Sequence, residues 1–332
     1  MSSRLLVTGG AGFIGSNFIK YWLSEHKKDK IINIDKLTYA GDLENLSNVE
    51  ENGNYSFVEG DISDYKLVDK LCRDVDIVIN FAAESHVDNS IISSADFIKS
   101  NIIGVHALLE AVKKYDLRFH QISTDEVYGA LELNSRLKFS ESSPYLPKNP
   151  YSATKASADH IVRAYHNTYK LRVTISNCSN NYGPNQHPEK LIPKTILNAL
   201  DNKQIPIYGD GLQVRDWIFV EDHCSAIGEI IENGKIGETY LVGADCEKHN
   251  IDVVKRVLDI MDKDQELIKF VADRPGHDVR YAIDASKIER ELGWHPKYSF
   301  DQALRKTVEH YIEQVKRYKK KTLKYENVDS RR

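Results

Sequence analysis

Cysteine is scarce in this chain and never paired. Cys72, Cys178, Cys224 and Cys246 lie far apart with no C-x-x-C spacing, which excludes a disulfide framework or a zinc site and predicts free thiols in a reducing cytoplasm. Long apolar runs are also missing. A segment such as Asp76-Ile-Val-Ile-Asn80 holds three apolar residues in a row, far short of the ~20 that a membrane helix needs. The opening Met-Ser-Ser-Arg runs straight into a strand pattern, so no secretory leader is expected. Neither sign of charge dominates, since 45 Lys and Arg stand against 49 Asp and Glu for a net charge of −4. Nucleic acid and membrane are therefore not expected partners. The cluster Lys316, Arg317, Lys319, Lys320, Lys321 and Lys324 reads as a solvated helix end, where cations suit the helix dipole. No repeat of fixed period is present, and 41% apolar with 28% charged residues excludes a disordered or collagen-like chain.

A regular alternation fills the first half instead. Short runs rich in Val, Ile and Phe recur at Leu5–Val7, Ile31–Ile34, Tyr55–Val58, Ile77–Ile79, Phe119–Ile122 and Val173–Ser176. Between them, residues such as Phe13, Ile14, Phe18, Ile19 and Leu23, then Val105, Leu108, Leu109 and Val112, fall at helical spacing. Strand alternating with helix predicts an α/β fold with a doubly wound parallel sheet of Rossmann type. After residue 178 the pattern breaks into Asn-, Gly- and Pro-rich loops around Asn180–Pro184, Gly209–Gly211 and Asp273–His277. With 332 residues, the chain divides into a dinucleotide domain over 1–178 and a smaller α/β substrate domain over 179–332. Segments near 216–242, including Trp217–Val220 and Thr239–Val242, are expected to return to the first domain and its sheet.

Directly after the first strand comes Gly9-Gly-Ala-Gly12-Phe-Ile-Gly15, opening a helix. Glycines permit a tight turn and a close approach of a pyrophosphate, and the helix offers free N–H groups at its positive end. Asp35 ends the second strand twenty residues later. A carboxylate there accepts hydrogen bonds from an adenosine ribose and repels a 2′-phosphate, which favours NAD over NADP, although Lys36 beside it weakens the discrimination. Asp61, after the third strand, reads by itself as a plain turn aspartate; beside a dinucleotide it could take the adenine amino group. The small residues of Phe81-Ala82-Ala83 leave room for the cofactor backbone after the fourth strand.

The fifth strand ends in Ser123-Thr124-Asp125-Glu126, and a helix begins near Tyr151-Ser-Ala-Thr-Lys155. Tyrosine and lysine four apart share a helix face. An ammonium and an oxidised nicotinamide both stabilise a phenolate whose ordinary pKa is about 10. Two adjacent carboxyls in one pocket push their pKa values apart, leaving one acid and one base. Both reach one substrate only if the chain leaves extended geometry at Thr124.

These segments, with Asp35-Lys-Leu-Thr-Tyr-Ala-Gly41, Ala82–Asp88, Asn177–Pro184, Pro188–Pro193, Arg215-Asp-Trp217 and Asp273–Asp278, resemble the extended short-chain dehydrogenase/reductase superfamily, and within it the dTDP-glucose 4,6-dehydratase family. The resemblance runs from about residue 4 to residue 310, and Thr-Asp-Glu is its most specific element. It implies NAD held by Gly9, Gly12, Phe13, Ile14, Gly15, Asp35, Lys36, Leu37, Thr38, Asp61, Ile62, Phe81, Ala82, Ala83, Ser100, Tyr151, Lys155 and Asn181. For a dTDP-glucose substrate it implies Ser85, Thr124, Asn180, Lys190, Leu191, Pro206, Ile207, Tyr208, Arg215, Asn250, Asp273, Arg274, Pro275, Gly276 and His277. It assigns Asp125 as the acid on the leaving hydroxyl of carbon 6 and Glu126 as the base on carbon 5, with Tyr151, Lys155 and Thr124 acting at carbon 4. His86 and His187 remain structural, because the other groups cover every proton transfer. No metal is implied. A homodimer is, paired through the helix of Val105, Leu108, Leu109 and Val112 and the helix after Tyr151.

The sequence departs from the family at Asp42, where asparagine is usual, and in shorter segments at 114–119 and after Gly129. Two alternatives stand beside this reading. One is a UDP-sugar epimerase or dehydratase, against which the Thr-Asp-Glu triplet argues. The other is a non-catalytic NAD-binding scaffold, which should have lost one of Asp125, Glu126, Tyr151 or Lys155. Thymine and uracil differ by one methyl, worth about 1–3 kcal/mol, and no motif reports the choice.

Overall fold

The computed structural model describes residues 2–273 and 278–329, side chains included as far as residue 317. Among them twelve strands form: β1 (Arg4–Thr8), β2 (Lys30–Asp35), β3 (Tyr55–Glu59), β4 (Ile77–Asn80), β5 (Arg118–Thr124), β6 (Arg172–Cys178), β7 (Asn180–Tyr182), β8 (Ile205–Tyr208), β9 (Val214–Phe219), β10 (Thr239–Val242), β11 (Glu247–His249) and β12 (Ile268–Val271). Seven build one parallel sheet in the order β10-β6-β5-β4-β1-β2-β3. The six strands expected from the apolar runs are all in it.

Why the sheet is apolar on both faces follows from the two-residue period of a strand. Leu5 and Val7 of β1 enter one core, with Phe18, Ile19 and Trp22 of the helix Phe13–Glu25 and Val220, Ile227 and Ile231 of the helix Val220–Asn233. Leu6 between them enters the other core, with Val68 and Cys72, with Val105, Leu108, Leu109 and Val112 of the helix Val105–Tyr115, and with Ala158 and Val162 of the helix Pro150–Tyr169. Strand order reverses between β1 and β4, and the crevice at the carboxyl ends there is the natural ligand site of such a sheet.

Beyond β6 the expectations needed correction. Thr239–Val242 does extend the main sheet, pairing with β6. Trp217–Phe219 does not: it belongs to β9, in a three-stranded sheet ordered β11-β9-β7. Asn180–Tyr182, expected as loop, is one of the two edge strands of that sheet, with Tyr182 buried against Trp217 and Phe219. A parallel pair, β8 with β12, carries Ile205 and Ile207 into a small core with Ile251, Val254 and Leu258. Together these pieces cover the crevice.

Candidate active site

The turn after β1 sets one end of the site. Gly9 stands at φ +69°, and a Cβ on it would lie 2.6 Å from the Ala82 backbone nitrogen. A Cβ on Gly15 would meet the Gly9 carbonyl at 2.4 Å. Gly12, in contrast, begins the helix Phe13–Glu25 without a side-chain cap, and a Cβ there has only the Gly9 carbonyl in range, at 3.3 Å. The uncapped helix end thus faces the crevice and fits a dinucleotide diphosphate. Asp35 anchors the turn: its carboxylate accepts from the Ala11 and Leu37 N–H groups, each at 2.9 Å. Burial raises its pKa, and those backbone hydrogen bonds oppose the shift.

Nearly all the positions expected to hold the cofactor line one cavity here. Leu37 does not; it takes a left-handed conformation at φ +52° behind Asp35. Asp61, in the same lining, is also held by cations. Its carboxylate pairs with Lys36 at 3.1 Å and Lys99 at 3.0 Å and accepts from the Ser63 N–H and hydroxyl. Partial burial would raise its pKa, but those partners hold it well below the ordinary value. Lys36 is thereby tied to Asp61. Asp42 caps the 3-10 turn Leu43–Leu46 through the Glu44 N–H.

At the carboxyl end of β5 the chain turns sharply. Thr124 is still extended, and Asp125–Tyr128 form a 3-10 turn. That turn brings Asp125 and Glu126 to one cavity, as two acids on one substrate require. The Thr124 hydroxyl accepts from the Glu126 N–H and donates to Asp125 Oδ1, both at 3.3 Å. Asp125 is 2% exposed, and its Oδ2 has no protein partner. Burial first, then the charges of Glu126 and Asp216, push its pKa well above the ordinary value. Glu126 is less buried and borders both halves of the crevice.

The helix Pro150–Tyr169 begins with a capping box between Asn149 and Ser152 and with Pro150 in its first turn. That start places Tyr151 beside the acids and Lys155 one turn on. Burial, then Glu126, pushes the Tyr151 phenol well up, and the Thr124 side chain opposes this. Lys155 donates to the Ile122 carbonyl at 2.6 Å. Burial lowers its pKa, and the Asp159 charge works the other way.

The crevice continues into a second cavity bordered by Ser85, Asn180, Lys190, Leu191, Pro206, Ile207, Tyr208, Arg215 and Asn250. Arg215 is buried, donates to the Val214 and Asp278 carbonyls at 2.8 and 2.9 Å, and packs over the Tyr281 ring at 4.5 Å. It is a preorganised cation, suited to phosphate oxygens. The side-chain oxygens of Asn180 and Asn250 are buried without a protein partner. Asp273 stands outside this lining and accepts from Gln213 at 3.3 Å. Arg274, Pro275, Gly276 and His277 lie outside the described residues. His86 and His187 share one carboxylate oxygen of Glu189, at 3.2 and 3.5 Å.

Several residues around the site had no signal in composition. Asn101, in a π-helical turn over Lys99–Gly104, bonds the Glu84 backbone in both directions and donates to Thr154. Gln186 borders both cavities and donates to the Asn181 carbonyl. Asp159 is fully buried and accepts from Ser123, Tyr145 and Asn177. Its spacing, four after Lys155 and eight after Tyr151, would have pointed to it.

Known proteins match this arrangement over nearly its whole length. The GDP-mannose 4,6 dehydratase family profile covers residues 6–307. A dTDP-glucose 4,6-dehydratase of Neisseria gonorrhoeae is 49% identical over 333 residues, spanning 93% of this chain and 96% of its own. The chain belongs to the dTDP-glucose 4,6-dehydratase family. A solved member of that dTDP-glucose 4,6-dehydratase family, DesIV from Streptomyces venezuelae with NAD and dTDP bound, superposes with a TM-score of 0.90 at 45% identity, over 93% of this chain and 97% of that one. The backbone is shared more widely. UDP-glucose 4-epimerase of Thermotoga maritima, solved with UDP-glucose, reaches 0.87 at 29% identity over 94% and 99% of the two chains. What sets the dehydratase family apart is therefore in side chains, not in the fold.

Proposed function

We propose that the protein is an NAD-dependent hydro-lyase that converts dTDP-glucose to dTDP-4-keto-6-deoxyglucose and water. The observation that carries this reading is the turn at Thr124, Asp125 and Glu126, where a buried carboxyl that favours its proton stands beside a more open one. NAD, when bound by the glycine turn and Asp35, supplies the hydride acceptor for carbon 4 and the donor for carbon 6. Tyr151 removes the carbon 4 hydroxyl proton. Burial beside two acids disfavours its phenolate, so the reaction depends on nearby positive charge, and Lys155 is the chain's own cation there. A ketone at carbon 4 acidifies carbon 5, and Glu126 takes that proton. Asp125 protonates the hydroxyl departing from carbon 6. Arg215 holds the diphosphate, with Asn180, Lys190 and Asn250 along the sugar nucleotide.

Incubation with dTDP-glucose in heavy water, followed by mass spectrometry, tests the reading. The expected product is lighter by one water and carries one deuterium at carbon 5. A product of unchanged mass would mean epimerisation and would overturn it.

The same reading extends to assembly. Val105, Leu108, Leu109 and Val112 are turned into the sheet core, so a pairing of their helix with the helix Pro150–Tyr169 across a two-fold would use the outer faces of both. An exposed row remains on the outer side of these helices. Tyr65, His106, Tyr165 and Tyr169 meet ring to ring, and Tyr65 is 44%, Tyr169 51% and Ile103 42% exposed. A homodimer covering this row accounts for its exposure. No described helix is long and apolar enough to cross a membrane. Four unpaired cysteines, three of them buried, support a reducing, cytoplasmic setting.

A further inference from the structure

The reaction just described draws its groups from two elements. Tyr151 and Lys155 belong to the helix Pro150–Tyr169, whereas Thr124, Asp125 and Glu126 lie where β5 ends. Whatever joins that helix to that strand end decides whether the acids reach the sugar that Tyr151 has oxidised.

Asp159 follows Lys155 by four residues and Tyr151 by eight, so the three share one helix face. All three are buried, Asp159 completely. Its Oδ2 accepts from the Ser123 hydroxyl at 2.7 Å, the Tyr145 phenol at 3.0 Å and the Asn177 amide at 3.3 Å. That amide nitrogen carries two protons and also donates to the Thr124 carbonyl, at 3.1 Å. One turn earlier, Lys155 donates to the Ile122 carbonyl at 2.6 Å. Ile122, Ser123 and Thr124 are the last three residues of β5, and Asp125 follows directly. Each of the three is held from the same helix face: Ile122 by Lys155, Ser123 by Asp159, and Thr124 by Asp159 through Asn177. Ser123 is 3% exposed and Asn177 0%, so bulk water does not compete for these bonds.

Resting on the dehydratase reading, we propose that Asp159 is a positioning residue that fixes the turn of Asp125 and Glu126 against Tyr151. It lines neither cavity of the crevice and acts through Ser123 and Asn177. Hydride transfer from carbon 4 depends on Tyr151 and NAD, whereas elimination depends on the turn as well. Loosening the turn therefore slows elimination more than oxidation.

Asp159→Ala removes the acceptor oxygen. In a single turnover with dTDP-glucose, NADH absorbance should rise above the wild-type level and decay about 10–10²-fold more slowly, the scale of a misplacement of about 1 Å, with KM little changed. Ser123→Ala cuts one of the two links to β5 and should show the same transient, smaller; it carries the kinetic test if Asp159→Ala does not fold. Asp159→Asn keeps an acceptor oxygen and should return the transient toward wild type. Tyr145→Phe leaves both links to β5 intact and should match the wild type. A fall in NADH formation and product formation together, with no transient, would make Asp159 a support of the fold alone and overturn the proposal. An Asp159→Asn enzyme as impaired as Asp159→Ala would overturn it too, by making charge decisive instead of the acceptor. Melting temperatures need no substrate. The double variant Ser123→Ala/Asp159→Ala should melt close to Asp159→Ala alone, and losses that add in full would show that the two side chains are not joined, whatever the reaction. If the wild type forms no 4-keto-6-deoxy product, it is the dehydratase reading that fails, and the melting cycle still decides the link.

Discussion

Replacing Asp125 with asparagine preserves the shape of the side chain and removes its proton. The amide oxygen can still accept from Thr124, which Asp125 does at 3.3 Å, and the other branch meets no protein partner that it would lose. Loss of one general acid slows water elimination by about 10²–10⁴-fold, or about 3–5 kcal/mol at 1.36 kcal/mol per decade. Carbon 5 should still exchange, because the ketone and Glu126 remain. Stability should respond in the opposite direction. Burial, Glu126 and Asp216 raise the folded-state pKa of Asp125 well above its ordinary value. The protonated form therefore favours the fold. Its contribution is full below the unfolded value of about 3.9 and is lost as pH rises through the folded value. Each tenfold gain in proton affinity corresponds to about 1.4 kcal/mol of that loss. Asparagine, neutral throughout, escapes it, so the Tm of Asp125→Asn relative to wild type should climb from about pH 5 to about pH 8. Quench-flow with dTDP-glucose in heavy water and calorimetry at the two pH values measure both effects. Elimination without carbon 5 exchange, or a Tm difference that shrinks as pH rises, would refute the assignment.

Glu126→Gln should leave the Tyr151 step and stall afterwards, so NADH absorbance should build up in a single turnover with little deuterium at carbon 5; exchange at the wild-type rate would move the base elsewhere. Asp35→Ala removes the acceptor of the Ala11 and Leu37 N–H groups and the charge that repels a 2′-phosphate. Hydrogen bonds to a charged group are worth about 1.5–3 kcal/mol, so calorimetric NAD affinity should drop by about tenfold to a hundredfold and the preference over NADP should shrink. An unchanged preference would show that Asp35 does not face the ribose. Ile103→Asp places a charge in the exposed aromatic row and should convert a dimer to monomer by light scattering; a wild type that is already monomeric at micromolar concentration would remove the dimer.

Much of the site could be read as local pattern. The glycine turn, Asp35 at the end of β2, and the Tyr151 and Lys155 spacing each depend on a few neighbouring residues, and the structure sets them around one crevice. What a partner distant in the chain decides was not legible there. Asp61 lines the cofactor cavity, and only the fold shows that Lys36 and Lys99 reach its carboxylate. Leu37 stands outside that cavity lining in a left-handed conformation, its N–H held by Asp35. Asn180–Tyr182 is a strand because β9, more than thirty residues on, pairs with it.

By itself the sequence determined the parallel sheet, the dinucleotide turn and the identity of the acid pair, because apolar period, glycine placement and motif spacing are properties of short segments. Only the tertiary structure decided how those groups differ. Asp125 favours its proton because the fold buries it and brings Asp216, ninety-one residues away in sequence, close enough to repel its charge. The apolar face of the helix Val105–Tyr115 serves the sheet rather than a partner, because packing, not periodicity, determines what an apolar stripe meets. Burial and long-range charge depend on the position of every neighbouring element, and no window of sequence contains them.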